Sequence, residues 1–106
     1  MVKMAYRTED GKIAILNTNT DKCLYSGRWI AGREQSRFSE LYYHKTKNGR
    51  IIFYIAYRTY WQGETDSIEV LADDEVEDWL VEHYSRLYAE EIAEFKELGY
   101  AIEEDA

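Results

Sequence analysis

Apolar residues recur at every second position up to Leu71 and at every third or fourth position beyond Asp73, and this change of period constrains the fold more than any other feature. A period of two describes strands with one buried face, and a period near 3.6 describes a helix with one buried face. The chain therefore reads as a block of strands followed by helix, the pattern of an α+β domain.

Two dipeptides punctuate the strand block. Asp10-Gly11 separates AYR from KIAIL, and Asn48-Gly49 separates SELYYHK from RIIFYIAYR; both are hairpin signals. For the second, the apolar pattern selects the register. A turn over Lys47-Asn48 with Gly49 in the left-handed conformation pairs Thr46 with Arg50. Leu41 and Tyr43 then share a face with Ile55 and Phe53, and Tyr42 and His44 share the other with Tyr54 and Ile52. A strict two-residue loop would send each strand's apolar set to the wrong face. Upstream, KIAILN and KCLYSG flank NTNTD, whose short polar side chains predict a further hairpin from Lys12 to Ser26. WIAGREQS reads as a connection, Thr59 to Thr65 as a polar loop, and SIEVL as a short strand with Ile68 and Val70 on one face.

From Asp73 onward Val76, Trp79, Leu80, Tyr84, Leu87, Tyr88, Ile92, Phe95 and Leu98 keep one face, and Gly99 is a natural stop. Asp73 is the expected N-cap, with Asp74 and Glu75 in the first turn, where the helix dipole favours negative charge. Glu82 is placed to pair with Arg86 one turn on. The expected architecture is an antiparallel sheet of four or five strands, one face covered by a long C-terminal helix through Trp79, Leu80, Leu87 and Ile92. That helix is either continuous or bent near His83 to Ser85. A single domain spans 1–99, with an acidic tail over 100–106.

At 106 residues, with 45% hydrophobic and 15% aromatic residues, the chain is long enough for one modest core. One cysteine and a start without an apolar signal segment point to the cytoplasm, and no apolar run reaches the roughly 20 residues that span a bilayer. The net charge of -8 conceals a division: Met1 to Gln62 carries 11 Lys or Arg against 5 Asp or Glu, and Gly63 to Ala106 carries 2 against 16. Such asymmetry points to an interaction surface, or else to a basic sheet and an acidic helix that neutralise one another across their rims.

The segments NTNTDKCLYS, YHKTKNGRIIFY and SIEVLADDEVEDWLVEH carry a resemblance. Thr18, Thr20, Lys45, Thr46, Lys47, Gly49, Ile68, Leu71, Glu75, Trp79, Leu80, Glu82 and His83 match the pattern of short uncharacterised proteins encoded in bacteriophages, prophages and mobile elements, in which a TKxG hairpin precedes an EEExxxWLxEH helix. The likeness runs from about Lys12 to His83. It implies a sheet-plus-helix fold and a mobile-element setting, and no catalytic site. IAYRTYWQGET stands where that pattern is glycine-rich, Val70 stands for its proline, and Ala72-Asp73 stand for its Thr or Ser cap, which shifts the expected helix start by a residue.

Candidates for catalysis are few. His44 and His83 are the only histidines, each expected to be partly buried with one hydrogen bond, and Cys23 is expected to be a buried small side chain. No phosphate loop, nucleophile elbow or paired metal-ligand motif is present. The expectation is a non-enzymatic protein without a cofactor. Two binding surfaces compete. Asp74, Glu77, Asp78 and Glu82 fall along one exposed helix flank and suit a host or element-encoded protein with a basic surface. Arg28, Arg33, Arg37, Lys45, Lys47, Arg50 and Arg58, interleaved with Tyr54 and other aromatics, would suit single-stranded nucleic acid. The first is favoured: a small acidic accessory protein acting by protein binding, as an inhibitor or modulator of a host defence or nucleic-acid-handling complex. Homodimerisation through an uncovered sheet face or edge is a further expectation.

Overall fold

The computed structural model describes residues 2–103. In chain order the strands are β1 (Lys3–Arg7), β2 (Ile13–Asn17), β3 (Lys22–Ser26), β4 (Trp29–Ile30), β5 (Arg33–Glu34), β6 (Arg37–Lys45), β7 (Ile51–Thr59) and β8 (Ser67–Leu71). Two helices follow, α1 (Asp73–His83) and α2 (Ala89–Glu97), with a single 3-10 turn over Tyr84–Arg86 between them. The central sheet has four antiparallel strands in the order β3-β6-β7-β8.

The β6–β7 hairpin adopts the register that the apolar pattern selects. Leu41 pairs with Ile55, Tyr42 with Tyr54, Tyr43 with Phe53 and His44 with Ile52. The Thr46 N–H donates to the Arg50 carbonyl at 2.8 Å, and Gly49 has φ +84°, the conformation only glycine adopts without strain. Alternation then divides the sheet into two apolar faces. Leu41 and Phe53 join Leu24, Val76, Trp79, Leu80 and Phe95 in one core; Tyr42, Ile52, Tyr54 and Ala56 join Ala14 and Leu16 in another.

This second core overturns the expected Lys12–Ser26 hairpin and the expected uncovered sheet face. β2 pairs only with β1, from Arg7–Ile13 to Lys3–Asn17, while β3 pairs with β6. The polar NTNTD segment is a change of layer: Asn17 carbonyl accepts from the Thr20 and Asp21 amides at 3.1 and 2.9 Å, and the chain passes from the β1–β2 hairpin into the sheet. The reason is burial. A face carrying Tyr42, Ile52, Tyr54, Ile68 and Val70 must be removed from water, and the inward side of the hairpin, Met4, Tyr6, Ala14 and Leu16, supplies the cover. The fold thus has three layers: hairpin, sheet, helices. Trp29–Ser36, expected as a connection, contains the small β4–β5 ribbon, with Ala31 and Gly32 both at positive φ.

The long C-terminal helix is replaced by two short ones. A straight rod from Asp73 to Leu98 would run to about 39 Å. The sheet offers less: nine-residue strands are about 30 Å long, and four of them side by side are narrower still. Leu87 turns extended, at φ -84° and ψ 142°, and α2 folds back so that Phe95 is fully buried. Its ring stacks at 6.4 Å from that of Phe53 and 5.9 Å from that of Trp79. The 3-10 turn also removes the expected Glu82–Arg86 pair, since the two are no longer one α-helical turn apart; no such pair exists among the described residues.

The N-cap of α1 is Ala72 in place of Asp73. Glu75 Oε1 accepts the Ala72 N–H at 2.9 Å, so the first turn is satisfied from within without a capping side chain. α2 repeats the device, with Glu91 accepting the Tyr88 N–H at 2.7 Å. Gly99, at φ +100°, ends α2 as expected. Beyond it, Tyr100 and Ile102 pack against the helix-side core. The remainder of the expected tail, 104–106, lies outside the described residues.

Candidate functional site

The four carboxylates expected to form one helix row are all exposed, and none of Asp74, Glu77, Asp78 and Glu82 has an ion-pair partner among the described residues. The helix twist nevertheless divides them. Asp78 and Glu82 lean toward the sheet edge, where with Glu69 and Glu75 they rim an open groove of about 310 Å3 floored by Ile55, Leu71 and Trp79. Glu77 lines a second groove with Leu80, Val81 and Tyr100, and Asp74 lines neither. Val81, in the lining of the second groove, is 83% exposed, an apolar side chain beside Glu77. Glu69 and Val81 were missed from sequence: Glu69 reads as an outward strand residue, and Val81 as one irregularity in a helical stripe.

In the second groove burial, with Asp73 and Glu77 nearby, pushes the Tyr100 phenol up to about 12. His83 closes the core side of α1: its Nδ1 lies 2.9 Å from the Trp79 carbonyl and its ring stacks 4.3 Å from the indole. It has the one hydrogen bond expected of it. Cys23 is a correction, being exposed on the edge strand β3, where the register shifts between Cys23 and Tyr25.

The basic set does not form one surface. Arg28, Arg33 and Arg37 stand at one end of the β6–β7 hairpin and Lys45, Lys47 and Arg50 at the other, about 30 Å away along nine-residue strands. Four of the seven cations already hold carboxylates. Arg28 meets Glu34 at 2.9 Å, Arg37 grips Glu64 through two hydrogen bonds of 2.9 and 2.6 Å, and Arg50 meets Glu9 at 3.3 Å. Arg58 bridges Glu40 and Asp66 at 3.5 and 3.2 Å. Tyr54 is 0% exposed beneath the β1–β2 hairpin, so it offers no stacking platform and leaves the nucleic-acid set. Exposed aromatics do occur at the Arg37 end: Trp61 lies under the Arg37 guanidinium at 4.9 Å and donates its indole N–H to Ser36 at 2.8 Å.

Sequence reasoning also missed a polar network between hairpin and sheet. Asp21, whose side chain is 6% exposed, accepts from Tyr54 hydroxyl at 2.6 Å and from the Asn17 N–H at 2.8 Å, and its other oxygen lies 2.7 Å from His44 Nδ1. Burial above all, then the hydrogen bond to Asp21, raises the Tyr54 hydroxyl well above its ordinary range. No local motif announces this set, because Asp21 reads as a turn residue and its partners lie on two strands of another hairpin.

The chain has no match among protein-family models, curated proteins or solved structures. Within the described residues no group of three His, Cys, Asp or Glu side chains is placed to hold a metal ion, and no helix is long and apolar enough to cross a membrane.

Proposed function

We propose that this protein is a protein-binding module whose working surface is the acidic face of α1, and that its partner presents a basic segment. One observation carries this reading: the grooves beside α1 set carboxylates without ion-pair partners, Asp78 and Glu82 in one and Glu77 in the other, against apolar side chains, half-buried Leu71 in the first and exposed Val81 in the second. Acids that the fold used for itself would be paired, as Glu34, Glu40, Glu64 and Asp66 are. Asp74, Glu77, Asp78 and Glu82 on α1 are left to solvent, where like-charge repulsion costs stability and favours a cationic visitor. The apolar floor supplies the desolvated contact from which such interfaces draw most of their affinity.

In the setting implied by the motif resemblance, the partner is a cytoplasmic host defence or nucleic-acid-handling protein, and the chain is an accessory protein that occupies its basic surface. Nucleic-acid binding through the sheet is the weaker reading, since the sheet face bearing Tyr54 is covered and Arg28, Arg37, Arg50 and Arg58 are engaged.

The test is a pull-down from host lysate with the wild type, with Glu77→Lys/Asp78→Lys/Glu82→Lys, and with the amide variant Glu77→Gln/Asp78→Asn/Glu82→Gln. Loss of the same partner from both variants, and its release from the wild type by salt, is the expected result. An unchanged set of partners removes the acidic face from consideration.

A further inference from the structure

On the opposite side of the sheet from the helices, the tips of the β1–β2 and β6–β7 hairpins enclose a cleft of about 420 Å3. That is the size of a small-molecule site. One side is strand β2, with Ala14 turned toward the sheet and Ile13 and Ile15 turned outward, 66% and 48% exposed. The rest is cationic and hydrogen-bonding: Lys12, Lys47, Arg50, His44, Thr46 and Asn48.

His44 is held in place for use from this cleft. Asp21 accepts from Tyr54 and Asn17 with one oxygen, and its other oxygen takes the His44 Nδ1–H, which fixes the tautomer and the ring plane. Nε2 is left without a protein partner among the described residues. Lys12 and Lys47 make no ion pair there either, and Arg50 meets the carboxylate of Glu9, at 3.3 Å, on a side chain that is 87% exposed. Such an exposed pair contributes little and yields readily to a better anion. Asp10, which also lines the cleft, is engaged by the hydroxyl of Thr8. The cleft therefore gathers three cations, one carboxylate and an oriented imidazole around a space bordered by apolar residues, so cations outnumber anions in its lining.

We propose that this cleft binds a small phosphate-bearing ligand of nucleotide size. Its phosphate meets Lys12, Lys47 and Arg50, with His44 Nε2 as a further contact, and its planar part lies against Ile13 and Ile15. A phosphate monoester suits this set better than a carboxylate, because it carries nearly two charges and three acceptor oxygens for several separate donors. The site is independent of the acidic face of α1, from which the whole sheet separates it.

The experiment is an NMR titration of the full chain that follows the His44 ring and the Ile13 and Ile15 methyls, with adenosine 5′-monophosphate, inorganic phosphate, adenosine and a short single-stranded oligonucleotide as probes. The nucleotide is expected to move all three sets saturably, phosphate to move His44 alone, and adenosine to move none. Lys12→Ala/Lys47→Ala, at exposed positions without ion pairs, is expected to weaken the nucleotide about tenfold or more. Glu9→Gln, which frees Arg50, is expected to tighten it about twofold. Core methyl shifts that match the wild type show that both variants are folded. The proposal is overturned if adenosine matches the nucleotide, if the double variant binds as the wild type does, if only the oligonucleotide binds, or if nothing moves at about 10 mM nucleotide.

Discussion

The Asp21 carboxylate lies 2.6 Å from the hydroxyl of Tyr54, 33 residues further along the chain, and this contact pins the β1–β2 layer to the centre of the sheet. Tyr54 is fully buried, so its hydroxyl depends on Asp21, and the same carboxylate satisfies Asn17 and His44. Asp21→Ala strands these donors and is expected to cost about 3 kcal/mol, against about 1 kcal/mol for Tyr54→Phe, which removes one donor and leaves no buried group unpaired. Urea denaturation of the two variants checks the ratio; equal losses would mean that Asp21 matters only through Tyr54.

Phe95 is the residue that makes the helix break worthwhile. Its ring touches Phe53, Trp79 and Tyr100, and Phe95→Ala is expected to cost about 4 kcal/mol through lost burial and the cavity left behind. Tyr88→Ala, two turns earlier in the sequence stripe but 75% exposed, is expected to change stability by less than about 0.5 kcal/mol. A continuous helix would give the two residues similar weight. Thermal unfolding distinguishes these outcomes.

Glu77 faces the same groove as Tyr100 and helps to raise its phenol, after burial, to about 12. Replacing that negative charge by a positive one stabilises the phenolate, so Glu77→Lys is expected to lower the Tyr100 value. Because the folded value stands above the ordinary 10.0, the associated stability is present below pH 10 and is lost as pH rises through about 12. Ultraviolet titration of wild type and variant, each compared with its Tyr100→Phe counterpart, measures the shift; no change would place Glu77 away from the ring.

Glu64 shows the reverse sign. The hydrogen bonds from Arg37 first, and Thr59 second, hold its carboxyl down at about 2 against an ordinary 4.5. A depressed folded value gives stability that is present above pH 4.5 and lost as pH falls through about 2. Trp61, stacked on Arg37 beside it, reports the event. Its fluorescence in a Trp29→Phe/Trp79→Phe background is expected to stay constant down to about pH 4 and change below it. In Glu64→Gln the carboxylate is absent, and that acid transition is expected to vanish.

Glycine at 49 has φ +84° and open space where a side chain would go. Gly49→Ala therefore meets no clash, and its cost is purely conformational, about 1 kcal/mol. A Gly49→Asn variant, whose side chain tolerates the left-handed region, is expected to lose less. Chemical denaturation of the pair tests whether the turn conformation selects the hairpin register.

Much of the local structure was legible before any coordinates. The Asn48-Gly49 turn, the alternation of Leu41, Tyr43, Phe53 and Ile55 against Tyr42, His44, Ile52 and Tyr54, and the stop at Gly99 follow from spacing and from the one residue type that tolerates positive φ. These depend on neighbours along the chain, and a period or a turn needs nothing else. The layer that covers Tyr54, the fold-back at Leu87 and the division of the acidic row between two grooves depend on which distant surface needs burying. Alternation says that two faces of β7 are apolar; it does not say that the first hairpin closes one of them. Likewise the meeting of Asp21, His44 and Tyr54 joins residues from three separate strands and turns, and only their packing brings one buried carboxylate within reach of all its donors.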